Sequence, residues 1–168
     1  NTGCQNTAHG YNTLCGNTTG SKNAATGYES LKNSTTSSNN TSHGYQSLYT
    51  NVTGTSNTAS GICSLYNNTT GYNNVANGAS SLFCNTTGCN NTSLGVNSLN
   101  KNTTGYHNTA SGYGAVRSNT TGFRNTGTGY ASLFYNTTGC FNTATGGYSL
   151  FKNTTGIYNA GYGYESIR

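Results

Sequence analysis

Residues 102–118 read Asn-Thr-Thr-Gly-Tyr-His-Asn-Thr-Ala-Ser-Gly-Tyr-Gly-Ala-Val-Arg-Ser, and the rest of the chain varies that one seventeen-residue phrase. Asn108 belongs to a column that never changes: Asn6, Asn23, Asn40, Asn57, Asn74, Asn91, Asn108, Asn125, Asn142 and Asn159 stand seventeen apart. Gly10 to Gly163 and Thr2 to Thr155 keep the same step without an insertion or deletion. A fixed period of this size marks a solenoid or array, in which each repeat buries its apolar side against its neighbours. Residues 1–168 therefore form a single repeat array. The chain opens mid-phrase and stops short of its tenth period, which predicts an excerpt of a longer fibre.

Composition narrows the function classes. Charged residues make up 5% of the chain, against roughly 25% in an ordinary soluble domain. The net charge of +5 comes from scattered Lys and Arg. Nucleic acid is not expected as a partner, because its binding requires clustered cations beside neighbouring phosphates. Asn, Thr, Gly and Ser enrichment would ordinarily suggest disorder. A disordered tract, however, has no physical reason to hold one spacing over its whole length. No apolar run of membrane-spanning length is present, so membrane insertion is not expected.

Averaged over the array the phrase is N-T-T-G-x-x-N-T-A-x-G-Y-x-S-L-x-x. Two Gly per repeat, Thr runs and Asn disfavour helix, and no 3.6-residue apolar stripe exists. A short strand fits Asn6 to Gly10, with Asn6, Ala8 and Gly10 facing one way and Thr7 and His9 the other. That alternation cannot run on to Leu14 without placing variable Asn12 on the face of constant Leu14. Corners are therefore expected near Gly10 and at Thr2-Gly3, where Gly supplies positive φ. The expected fold is all-β: a narrow β-solenoid or β-roll, one coil per repeat and about ten coils, with a thin core of the Leu14 and Ala8 columns. The registers of Cys4, Gln5, His9, Asn12, Cys15 and Gly16 vary freely and are read as outward. The invariant Asn6 column is read as an amide ladder of the kind that stacks in cross-β structures.

Asn108-Thr109-Ala110-Ser111-Gly112-Tyr113 resembles the N-S-x-A-x-G repeats in head domains of trimeric autotransporter adhesins. Asn-Thr-Ala-x-Gly-Tyr-x-Ser-Leu arrays also resemble stretches of bacteriophage tail-fibre proteins. In style the chain is similar to the glycan-coated fibrils of fresh water. These resemblances imply a β-roll or β-solenoid that forms fibres for attachment. The adhesin heads use a shorter repeat with more aliphatic residues inward, and no coiled-coil stalk or membrane anchor is seen here.

N-x-[S/T] is the acceptor for N-linked sugar. Asn17, Asn51, Asn68, Asn85, Asn102, Asn119, Asn136 and Asn153 supply it in nearly every coil. Where that register becomes Ser34, the acceptor reappears one place earlier as Asn33-Ser34-Thr35. This pattern predicts a decorated Asn column, with covalently attached glycans, beside the internal one. The alternative is that Asn and Thr ladders are structural at both corners.

Six Cys occur. Cys84 and Cys89 bracket a turn-rich segment, and Cys4 and Cys15 share a coil; both pairs are possible disulfides in an oxidising extracellular setting. Cys4, His9 and Cys15 do not match zinc-finger spacing, so neither metal nor cofactor is expected. Tyr at the Tyr11 register is expected to stack along the fibre, and the other rings to form an outward contact surface. Glu29 and Glu165 lie eight coils apart, and no nucleophile elbow or phosphate loop is present, so no enzyme is expected. The leading expectation is an extracellular, glycosylated, self-assembling structural fibre. An adhesive or receptor-binding shaft comes second and an ice-binding protein third. The adjacent Thr18 and Thr19 columns would face opposite ways in a strand, which weakens the ice-binding reading.

Overall fold

A computed structural model describes residues 2–167. Ten three-residue strands, from β1 (Thr7–His9) to β10 (Ala160–Tyr162), form one parallel sheet in sequential order. The register is the repeat itself: Ala8 pairs with Ala25, Ala59 with Ala76, and Gly127 with Ala144. The expected all-β solenoid, one coil per seventeen residues, is what the chain forms, and the described residues contain no helix.

Within each strand the middle residue points inward and its neighbours outward, so Ala59 is buried between exposed Thr58 and partly covered Ser60. The core is a file of Leu (Leu31, Leu48, Leu65, Leu82, Leu99, Leu133, Leu150, with Val116) against a file of Ala (Ala25, Ala59, Ala76, Ala110, Ala144). Between them runs a buried Ser file. Ser30 donates its hydroxyl to Ser42 Oγ at 2.7 Å, and Ser93 Oγ lies 2.5 Å from Ser98 Oγ. Val116 is the one β-branched residue in the buried part of the Leu file (Ile167, at its end, is exposed), and it faces Gly127 in a register that holds Ala or Ser in every other coil but the last, where Gly161 stands. A Cβ on Gly127 would stand 2.5 Å from Val116 Cγ2. The two departures fit each other.

The corners differ from the expectation in an instructive way. Gly10 and its equivalents do take positive φ, near 130° in the central coils. A Cβ on Gly78 would also stand 2.6 Å from the carbonyl carbon of Gly95 in the next coil. The second Gly column, Gly3 to Gly156, has no positive φ. Its Gly is required by close approach, because a Cβ there would meet the next coil's carbonyl and an Asn amide. The left-handed residues are instead Gln5, Asn12 and Leu14 with their equivalents. Leu48 sits at φ 49° and Val116 at φ 50°, a conformation costing roughly 1–2 kcal/mol for an L-residue. Stacking holds it: Leu48 N–H donates to Ser64 O at 3.0 Å while its side chain is fully buried. Thr18 and Thr19 lie in a bend rather than a strand, and both are exposed instead of facing opposite ways.

Candidate functional surface

Two amide columns line the interior, and they use different chemistry. In the Asn6 column each side-chain Oδ1 accepts the next coil's backbone N–H, as Asn57 does from Asn74 at 3.0 Å. The same oxygen accepts Asn74 Nδ2 at 3.1 Å, and Asn74 Nδ2 also reaches Gly88 O at 2.9 Å. A backbone N–H turned inward at every coil thus finds its acceptor in a side chain, which accounts for the invariance of this column.

The Asn17 column is interior too. Asn51, Asn68, Asn85, Asn102, Asn119 and Asn136 are fully buried and Asn17 nearly so. Asn68 Nδ2 donates to Asn51 Oδ1 at 2.7 Å and to Gly71 O at 3.0 Å, and Asn85 and Asn102 repeat the pair. The nitrogens expected to carry sugar are therefore the donors that hold this corner closed. A glycan on any of them would remove a donor and force the coil open. Asn153 is partly covered, and Asn33 alone of the nine is exposed.

The Asn33-Ser34-Thr35 irregularity has a structural cause. Coil three exchanges both members of a fitted pair: Ser34 replaces the Asn, and Ser37 replaces the Gly that the Asn amide overlies. The two Ser hydroxyls hydrogen-bond to each other in the space that amide and glycine share elsewhere. One consequence is visible next door. Asn17 Oδ1, which would accept from an Asn at position 34, is buried without a partner.

All six cysteines are free thiols, so neither Cys84–Cys89 nor Cys4–Cys15 is joined. Cys4, Cys15 and Cys89 find neighbours along their own columns, while Cys140 donates to Thr138 O within its own coil at 3.2 Å. Cys4 Sγ lies 3.5 Å from Ser21 Oγ, and Cys15 donates to Lys32 O at 3.8 Å, each one coil on. Cys89 hydrogen-bonds Tyr72 one coil back, raising the phenol. Burial pushes the Cys63 and Cys84 thiols up, with Lys101 pulling Cys84 partly back, so neither is activated toward nucleophilic chemistry. No group of three or more potential metal ligands occurs among the described residues.

The outer surface is ordered by rings. Tyr11, Tyr28 and Tyr45 stack at 5.2 Å between successive centroids, as do Tyr113 and Tyr130 at 5.3 Å. A second file, Tyr49–Tyr66–Phe83, stacks at 5.0 and 5.2 Å. A feature not read from the sequence is that cations precede ring runs. Lys32 lies over Tyr49 (5.6 Å), Arg117 over Phe134 (5.4 Å) and Arg124 over Phe141 (5.4 Å), each one coil before its ring. The repeat period could have revealed this, since each pair is seventeen apart. Such contacts contribute about 0.5–1 kcal/mol where exposed. Glu29 accepts from Lys32 Nζ at 2.7 Å and from Gln46 Nε2 at 2.8 Å, and these two bonds lower its carboxyl below the ordinary value.

Compared with protein-family models, with curated proteins and with solved structures, the chain matches none.

Proposed function

We propose that this chain is a stretch of extracellular structural filament that stacks coil on coil with further copies of itself. The observation that supports this reading most is the uniformity of the axial pairing. Thr58 N–H crosses to Asn74 O at 2.8 Å, Thr69 N–H to Thr86 O at 2.9 Å and Gly61 N–H back to His43 O at 2.8 Å, and other coils repeat the pattern. Each coil thus presents one set of donors and acceptors upward and the complementary set downward. Two such faces meet head to tail, a heterologous contact that extends rather than closes. A surface of hydroxyls, amides and rings suits a passive, non-catalytic shaft. The buried acceptor asparagines favour an export route that does not glycosylate the unfolded chain.

Seeded growth tests the reading. Purified chain should elongate on sonicated fragments of itself and give an axial diffraction repeat of about 4.8 Å. Ala160→Pro removes the N–H that, at Thr143 one coil earlier, crosses to Asn159 O, and should slow growth at that end. Chain that stays monomeric at high concentration, with or without seeds, would refute it. An adhesive shaft of the tail-fibre or adhesin kind is the second reading, favoured by the exposed ring files; a discrete trimer in analytical ultracentrifugation would select it. Ice binding draws less support. Outward Thr-x-Thr recurs in consecutive coils only at Thr126/Thr128 and Thr143/Thr145, and Val75, Asn77 and Leu94 interrupt the face.

A further inference from the structure

One outer corner of the C-terminal half carries a groove of about 430 Å³ running along the solenoid axis. One wall is the column Lys101, Ser118, Tyr135 and Lys152; the other is Thr120, Thr137 and Thr154. We infer that this groove binds a linear acidic polysaccharide, a chain of uronic-acid sugars, with Tyr135 as the stacking platform and Lys101 and Lys152 as the carboxylate contacts.

Four features carry the inference. Tyr135 is exposed yet held: its ring meets Phe134 and Phe151 edge-on, each at 5.0 Å. Its face is therefore oriented before any ligand arrives, which removes an ordering cost from binding. Lys101 and Lys152 lie one coil below Ser118 and one above Tyr135, so they stand three coils apart, about 14 Å at the interstrand spacing. The two cations bracket the ring along the axis. The only acidic residues of the chain, Glu29 and Glu165, do not line the groove, so no carboxylate of the protein competes for them.

The fourth feature separates sugar from nucleic acid. Thr120 donates its hydroxyl to Thr137 O at 3.1 Å, and Thr137 to Thr154 O at 3.0 Å. Their protons are committed within the wall, so these oxygens face the groove only as acceptors. A polymer rich in hydroxyl donors answers that wall; phosphates, which only accept, do not. Nucleic acid would also need more neighbouring cations and successive ring platforms, where this groove offers two cations and one exposed ring. A linear sugar chain repeats on a scale comparable with the coil, so successive sugars meet equivalent rungs.

The inference does not depend on filament growth and is read on monomeric chain, checked by light scattering. Isothermal titration with a short oligogalacturonate should give saturable binding that weakens with salt. Tyr135→Ala and the double variant Lys101→Gln/Lys152→Gln should each lower affinity about tenfold. Lys22→Gln, an exposed cation six residues before Tyr28 and outside the groove, should leave it unchanged. All these side chains are exposed, and amide exchange verifies that each variant retains the ladder. Absence of binding, equal binding of a neutral oligoglucan, tighter binding of oligo(dT), or an equal loss in Lys22→Gln would each overturn the proposal.

Discussion

Exchanging the Ser34–Ser37 pair back to the form used by other coils makes a quantitative test of the interior amide column. Ser34→Asn alone drives an amide into the Ser37 side chain, since other coils bring that amide against the glycine at this position. Overpacking of that kind costs about 1–3 kcal/mol. Ser37→Gly alone strands the Ser34 hydroxyl, which hydrogen-bonds Ser37, at about 1–3 kcal/mol. Together the substitutions recreate the corner seen at Asn68 and Gly71. The new Asn donates to the unpartnered Asn17 Oδ1 and to the carbonyl of residue 37, and accepts from Asn51 Nδ2. Against the lost Ser–Ser bond this is a net gain of about two buried hydrogen bonds at 0.5–1.5 kcal/mol each. A glycine entropy cost of about 0.5–1 kcal/mol offsets part of it. The double variant should therefore equal or exceed the parent, and the coupling energy should be about 3 kcal/mol or more, at the top of the usual range for contacting residues. Urea midpoints supply the cycle, and hydrogen exchange at Thr18, whose N–H crosses to Thr35 O, reports it locally where a repeat protein does not unfold in one step. Additive effects, with coupling below about 0.5 kcal/mol, would refute the fitted-pair account.

Three further outcomes follow from the same geometry. Gly78→Ala places a Cβ against the Gly95 carbonyl at a φ of 130°, and should destabilise by more than the roughly 1 kcal/mol of a typical substitution, read as a urea-midpoint shift; Thr87→Ala, on the exposed Thr column, should not. Secreted through a host that glycosylates nascent chains, molecules bearing sugar at Asn102 should lack the β-sheet circular dichroism of sugar-free molecules; a glycosylated Asn102 in a protected ladder would contradict the buried assignment. The thermal midpoint should be flat from about pH 5 to 8 and fall on both sides. Glu29 is lowered, so its contribution is present above the unfolded carboxylate value and lost on acidification, and Glu29→Gln should remove that acid limb. Cys63, Cys84, Tyr28, Tyr66 and Tyr130 are raised, so theirs is present below the unfolded values of about 8.5 and 10 and lost as pH climbs.

Periodicity made the architecture legible because every partner lies seventeen residues away. The inward Ala8 and Leu14 files, the Thr7–His9 strand and the outward Cys4, Gln5, His9 and Cys15 registers all follow from which positions vary. Other features were hidden for physical reasons. A sequon and an amide ladder are written with the same letters, so Asn102 reads equally as acceptor or as donor until its burial is known. The Leu files occupy a left-handed conformation that Leu disfavours on its own; only the stacked coils select it, and no local pattern signals that. The Gly3 column looked like a turn column, yet its cause is the approach of another coil's carbonyl. Ser34 looked like the mark of a displaced acceptor, because the reason for its joint exchange with Ser37 lies in three dimensions.

Sheet registry governs how this molecule can change size. Each coil meets the next through the same backbone pairings, so a whole phrase can be added or removed with that registry kept, whereas a single residue inserted within the paired segments would shift every file beyond it. Length therefore changes in quanta of about 4.8 Å, one per phrase, and the gene acts as a ruler whose graduations are seventeen codons wide.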